Sequence, residues 1–198
     1  AGGQVIESAF TEHFLRSSDG LQLYCREYGA QFSGNGAPTV MCLPGLSRNS
    51  RDFHSLASAL CRTHRVLSPD LRGRGRSAYD PNWQNYQPKI YAQDVLTMAT
   101  TLQAPKLFVI GTSLGGIIAM IIAALQQPLL AGVVLNDIGP ELNPLGLQRI
   151  AGYVGRLAPV ASWAEAAQQA RLVHGSAMPD FSDADWLHFA RCTYRDDG

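Results

Sequence analysis

The chain has 198 residues, 46% of them hydrophobic, and balances 16 Lys and Arg against 16 Asp and Glu. That length supports a sizeable core in one domain with an insertion, and zero net charge argues against a general nucleic-acid or membrane-surface partner. The most apolar stretch, Ile117–Leu135, is broken by Gln126-Gln127-Pro128 and is too short on either side to span a bilayer.

The chain opens with Ala1-Gly2-Gly3, without methionine and without a basic, apolar leader. Ser18–Leu23 reads as the first hairpin, and Thr39–Leu43 as a buried strand that runs into a tight loop at Pro44-Gly45-Leu46. Phe53, Leu56, Ala57 and Leu60 recur at helical spacing, and Arg65–Ser68 is the next strand. Tyr91, Val95, Met98 and Leu102 mark a second helix; Lys106–Ile110 is a strand, Leu114–Leu125 an apolar helix and Leu130–Leu135 another strand. Such alternation predicts a mostly parallel sheet with helices on both faces.

The pattern changes after Pro140. Leu147, Ile150, Ala151 and Val154 fit one helix. Ser162 with Glu165 forms a capping box for a second, and Ser182 with Asp185 opens a third. Trp163, Trp186 and Phe189 on these helices either line a cleft or hold the helices together. The expected organisation is therefore a core over residues 1–140 and a helical unit over 141–198. Cys25, Cys42, Cys61 and Cys192 show no C-x-x-C spacing and read as thiols of a reducing cytoplasm.

Gly111-Thr112-Ser113-Leu114-Gly115 carries the chemistry. A G-x-S-x-G sequence between a strand and a helix is a nucleophile elbow, in which the turn holds the serine hydroxyl exposed. Gly111 and Gly115 are needed because side chains there would meet the neighbouring strand and helix. Acyl transfer also needs two N–H donors for the oxyanion. One is Leu114, after the serine, and Leu46 in the loop of the earlier strand is the best candidate for the other. These residues predict a serine hydrolase for a small-molecule acyl substrate, with no metal or cofactor.

These pieces resemble the α/β-hydrolase superfamily in the family's order: the first hairpin, Leu43-Pro44-Gly45-Leu46 as oxyanion loop, Asp70–Ser77 as a D-x-R-G-x-G-x-S loop, the elbow, and Leu135–Pro140 after the next strand. Leu43-Pro44 stands where many members have His-Gly. The resemblance implies that residues 141–198 form a helical lid inserted after the sixth strand. It also implies a triad in the chain order serine, acid, histidine. Asp137, after the strand that follows the elbow, is where some members place the acid; the alternative is that it caps a turn or pairs with an arginine. None of His13, His54, His64, His174 and His188 matches the family's histidine position. The histidine and two further strands are therefore expected beyond residue 198, which makes this chain an N-terminal portion that is inactive and sticky alone. An elbow serine rather than aspartate excludes the family's haloalkane and epoxide chemistry. It leaves esters and related acyl groups, with lactone or carbon–carbon bond hydrolysis and a non-catalytic ligand-binding relative as alternatives.

Arg72, Arg74 and Arg76 either contact an acidic substrate or anchor their loop to carboxylates. Gly73-x-Gly75-x-x-Ala78 is a loose dinucleotide fingerprint, but no helix begins where a pyrophosphate would need its N-terminus. Oligomeric state and substrate identity have no signature in the sequence.

Overall fold

The computed structural model describes residues 9–139, 141, 144, 148, 151, 152 and 154–194. Six strands come first: β1 (Thr11–Arg16), β2 (Gln22–Tyr28), β3 (Thr39–Leu43), β4 (Val66–Asp70), β5 (Leu107–Thr112) and β6 (Leu130–Asn136). They form one sheet in the order β1-β2-β4-β3-β5-β6. β1 and β2 make an antiparallel hairpin, and β2 also runs antiparallel to β4. The pairs β4/β3, β3/β5 and β5/β6 are parallel. Parallel neighbours need crossovers, and helices α1 (His54–Leu60), α2 (Pro88–Thr101) and α3 (Leu114–Gln126) supply them.

Both β3 and β4 are buried at every residue, as expected of strands covered on two faces. The period of two then sorts their side chains. Met41 and Leu43 pack with Leu67, Val109, Tyr91, Val95, Met98, Ile118 and Ile122 on the side of α2 and α3. Val40 and Cys42 pack with Tyr28, Val66, Phe53 and Ala57 on the side of α1. Leu56 falls off that α1 stripe and is 40% exposed, so the buried face is narrower than the periodicity predicts. α3 buries Ile118, Ala119 and Ile122, while Leu125 in its last turn is 53% exposed. β6 closes one sheet edge, and Val133, Val134 and Leu135 are exposed there.

Two strands extend beyond their sequence-predicted ends. β5 continues through Gly111 and Thr112, which pair with Leu135 and Asn136. β4 continues through Pro69 to Asp70, while Arg65 is spent before it, donating to Glu27 and to the carbonyls of Leu102 and Gln103.

The chain divides into two compact units, Ala1–Ile138 and Gly139–Gly198. The described part of the second contains helices α4 (Trp163–His174) and α5 (Asp183–Thr193), with no strand among its described residues. α5 opens with a full capping box between Ser182 and Asp185. α4 opens with Ser162 accepting from the Glu165 N–H, but Glu165 reaches back to the N–H of Ala161 rather than Ser162, so the predicted reciprocal box is displaced by one residue. Ala166, Ala170, Trp186 and Ala190 are buried, and Trp186 packs against Phe181 and Phe189 with ring centroids 5.0 and 5.7 Å apart. Between the two helices, the His174 ring packs on Phe189 and the Tyr194 hydroxyl donates to Gln169. Leu147 and Ile150 of the predicted preceding helix lie outside the described residues.

Candidate active site

Ser113 sits between β5 and α3 with φ 50° and ψ −112°, a conformation L-residues rarely adopt. Its backbone is held on both sides. The Ser113 N–H donates to the Asn136 carbonyl at 3.0 Å, and the Ser113 carbonyl accepts from Gly116 and Ile117 at 2.9 and 3.2 Å. The side chain of Asn136 also donates to Thr112 Oγ1 at 3.2 Å. A β-carbon on Gly115 would lie 2.7 Å from the Leu43 carbonyl carbon of β3. One on Gly111 would lie 2.6 Å from the Gly116 nitrogen of α3. Both approaches are to backbone, so only glycine lets β5, the elbow and α3 close this tightly.

The Pro44-Gly45 loop runs beside this turn. The β-carbon position of Gly45 is 3.9 Å from Ser113 Cβ and 3.8 Å from the Thr112 carbonyl oxygen. Pro44 and Gly45 are buried, and Leu46 is 37% exposed. The N–H groups of Leu46 and Leu114 make no hydrogen bond among the described residues. For Leu114 this follows from its place at the first position of α3, where N–H groups lack intrahelical partners and the helix end favours negative charge. Thus a candidate nucleophile and two candidate oxyanion donors belong to adjacent segments.

Asp137 directly follows Asn136, the residue that holds the serine backbone. It has φ 53° and an exposed side chain, and its carboxylate has no hydrogen bond or ion pair among the described residues. The histidines of the sheet unit are engaged elsewhere. His13 Nε2, on β1, lies 2.6 Å from Glu27; His54 Nδ1 lies 3.0 Å from the Tyr28 hydroxyl; His64 Nδ1 lies 2.8 Å from Thr63. In the helical unit His174 packs on Phe189, and His188 is 3.6 Å from the Cys192 sulfur. A cavity of about 430 Å³ between α4 and α5, lined by Ala164, Ala167, Arg171 and Trp186 among others, contains no elbow residue.

The loop after β4 is architecture. Arg72 is fully buried and donates to Asp94 (2.8 Å twice), Asp19 (2.9 and 3.2 Å) and Asp80 (2.6 Å). The hydrogen bonds that Arg72 donates to Asp19 hold that carboxyl down at about 2, and those it donates to Asp94 raise the guanidinium above its ordinary value. Asp70 accepts from the N–H groups of Ser50 (2.6 Å) and Arg76 (2.8 Å). Gly75, at φ +53°, leaves room for that carboxylate: a β-carbon there would lie 2.8 Å from Asp70 Oδ1. Ser77 Oγ accepts from Tyr24 N–H and donates to the Asp70 carbonyl. Arg76 pairs with Glu12. Arg72 and Arg76 are therefore loop anchors. The sequence did not point to Asp19 and Asp94 as partners of Arg72, because they lie on other elements.

No disulfide joins the four cysteines. Burial pushes the Cys42 thiol up to about 12 and raises Cys25 further still, so neither is a nucleophile. No helix among the described residues is long and apolar enough to cross a membrane.

A serine on a strained strand-to-helix turn of a mostly parallel sheet, with an open helix N-terminus beside it, matches the geometry expected of the G-x-S-x-G turn. The chain belongs to the α/β-hydrolase fold family, whose model matches residues 38–187. It is similar to an α/β hydrolase from Novosphingobium aromaticivorans, with 40% identity, a TM-score of 0.87 and coverage of 93% of this chain and 64% of that one. It is 40% identical over 116 residues to a 3-hydroxybutyrate-oligomer hydrolase of Cupriavidus necator, a match covering 59% of this chain and 40% of that protein. An esterase of Mycobacterium tuberculosis is 30% identical over 164 residues, or 82% of this chain and 50% of that protein. The chain thus spans half or less of the length of these two relatives.

Proposed function

We propose that the protein is a serine hydrolase that cleaves a carboxylic ester, or a related acyl bond, through an acyl-enzyme on Ser113. The observation that carries this reading is the Ser113 backbone: a positive φ at a non-glycine residue, held by Asn136 and by two glycines that tolerate no side chain. Strain of this kind persists only where surrounding structure imposes it, and it clusters at functional sites. Two relatives, an esterase and a 3-hydroxybutyrate-oligomer hydrolase, support the same reading.

In this mechanism Ser113 Oγ attacks the carbonyl carbon while a base removes its proton. The N–H groups of Leu46 and Leu114 receive the charge that develops on the carbonyl oxygen. Collapse expels the alcohol, which takes the proton from the base, and water then attacks the acyl-serine by the same route. Asp137 is assigned as the acid that orients the base. The base is assigned to a histidine outside the sheet unit, a reading supported by the partners that His13, His54 and His64 have elsewhere. Residues 141–198 serve as the cap that selects the substrate, and a reducing cytoplasm suits four cysteines without a disulfide.

The test uses the whole protein, a fluorophosphonate probe and short p-nitrophenyl esters. Ser113 should carry the label, and Ser113→Ala should abolish labelling and turnover together. Full turnover in that variant would refute the assignment. Asp137→Asn should reduce turnover by about 10⁴-fold if Asp137 is the acid.

A further inference from the structure

Three arginines lie in the loop after β4, and one of them differs from the others. Arg72 and Arg76 face carboxylates, whereas Arg74 makes no ion pair among the described residues. Instead, Arg74 Nε donates to the carbonyl of Leu46 and Nη1 to the carbonyl of Arg72 at 3.1 Å. Its guanidinium carbon stands 5.0 Å from the centroid of the Tyr91 ring, with Nη2 3.4 Å from the Tyr91 hydroxyl. Tyr91 is buried on α2. The guanidinium is therefore seated on a rigid wall while it grips the tip of another loop.

That loop needs a grip. Gly45–Arg48 is a turn closed by the Arg48 N–H donating to the Gly45 carbonyl at 3.1 Å. The Gly45 carbonyl and the Leu46 N–H share one peptide plane, so this bond orients the Leu46 N–H relative to the turn. It does not set where the turn stands relative to Ser113. The far side of the loop is tied down at Ser50, whose N–H donates to Asp70 and whose carbonyl accepts from Ser68. At the tip, Leu46 is exposed and preceded by glycine, and among the described residues its carbonyl accepts a hydrogen bond from Arg74 alone.

We propose that Arg74 is a positioning residue for the oxyanion loop: by clamping the Leu46 carbonyl to the loop after β4, it holds the Leu46 N–H at the place where the oxyanion forms. The inference rests on the reading of Leu46 as an oxyanion donor. Positioning of a donor matters mainly in the transition state, so the effect falls on kcat rather than KM.

The experiment compares wild type, Arg74→Ala and Arg74→Lys in the whole protein, on an oxoester and on the matching thionoester, whose sulfur is a poor hydrogen-bond acceptor. Arg74→Ala should lower kcat on the oxoester by roughly 10- to 100-fold, leave KM within about twofold, and shrink the oxoester-to-thionoester ratio. Arg74→Lys, which keeps one donor for the Leu46 carbonyl, should recover part of that ratio. It carries the same test if Arg74→Ala does not fold. An unchanged ratio in both variants, or an equal loss on both substrates, would overturn the clamp while Ser113-dependent turnover in wild type keeps the hydrolase reading intact. Absence of Ser113 labelling in wild type would instead overturn the hydrolase reading, and this inference with it.

Discussion

Two glycine-containing turns leave the carboxyl ends of the parallel strands on either side of β3, the loop after β4 and the elbow after β5, and they put their strain in opposite places. In the loop, Gly73 and Gly75 take the positive φ values themselves, +73° and +53°. The side chains around them are all engaged: Asp70 caps two N–H groups, Arg72 binds three carboxylates, and Ser77 bridges two backbone groups. In the elbow, Gly111 and Gly115 have ordinary backbone angles and serve only by lacking a β-carbon, while the serine carries the unusual φ. A turn whose glycines absorb the strain is scaffolding. A turn whose glycines make room while a serine absorbs the strain has the backbone expected of a functional site.

Substitutions can break this contrast, and the largest effect is expected at Ser113. Removing the hydroxyl in Ser113→Ala should lower ester turnover by more than about 10³-fold. Ser113→Gly should be equally inactive yet more stable by about 1 kcal/mol in urea unfolding, because glycine occupies this φ/ψ region without strain. A glycine variant less stable than wild type would show that the serine backbone is not strained.

On the scaffold side, Arg72→Met leaves Asp19, Asp80 and Asp94 facing one another without their cation. A loss of about 3–5 kcal/mol is expected, since stranding buried charge is far worse than losing a surface pair. Any variant that remains folded should keep its Ser113 labelling rate. Next comes Gly115→Ala, whose new methyl meets the β3 backbone at Leu43. Here stability should fall by about 2–3 kcal/mol and labelling should fall with it, because β3, β5 and the elbow must move apart. Loss of stability with unchanged labelling would separate packing from the site.

The smallest effect is a dependence on pH. The Asp19 carboxyl lies at about 2, lowered first by its hydrogen bond to Arg72. A carboxyl lowered in the folded state adds stability above its unfolded value, near 4, and that stability is lost as pH falls toward 2. The Asp19 side chain is 44% exposed, so screening limits the contribution to less than about 1 kcal/mol. Asp19→Asn should therefore lower stability at pH 7 slightly and flatten the decline between pH 4 and pH 2. An unaltered acid limb would remove Asp19 from the cage's electrostatics.

Much of this was readable along the chain wherever the partners lie within a turn or so. The caps of α5 and the start of α4 involve residues three apart, and the two glycines of the elbow were legible because Gly111 meets the Gly115–Gly116 backbone directly. The strand β3 follows from its unbroken apolar run. Other features were not readable. The sequence left Arg72, Arg74 and Arg76 open between substrate binding and anchoring, because Asp19 sits in the hairpin turn and Asp94 on α2. Leu56 was placed on the buried stripe by spacing, but the cluster on that face reaches only Phe53 and Ala57 of the first helix, with Leu60 partly buried.

By itself, then, the sequence determined which segments are strands and helices, and which serine stands at a strand-to-helix turn, since apolar period and short-range backbone geometry are properties of neighbouring residues. Tertiary structure decided the rest. The sheet order β1-β2-β4-β3-β5-β6 departs from chain order, and that crossing brings β3, with Leu43 and the Leu46 loop, between the Asp70–Ser77 loop and the elbow. Only there does the Arg74 guanidinium reach the Leu46 carbonyl, and only the pairing of β5 with β6 gives the Ser113 N–H its partner at Asn136, because hydrogen bonds act over about 3 Å of space whatever length of chain separates the groups.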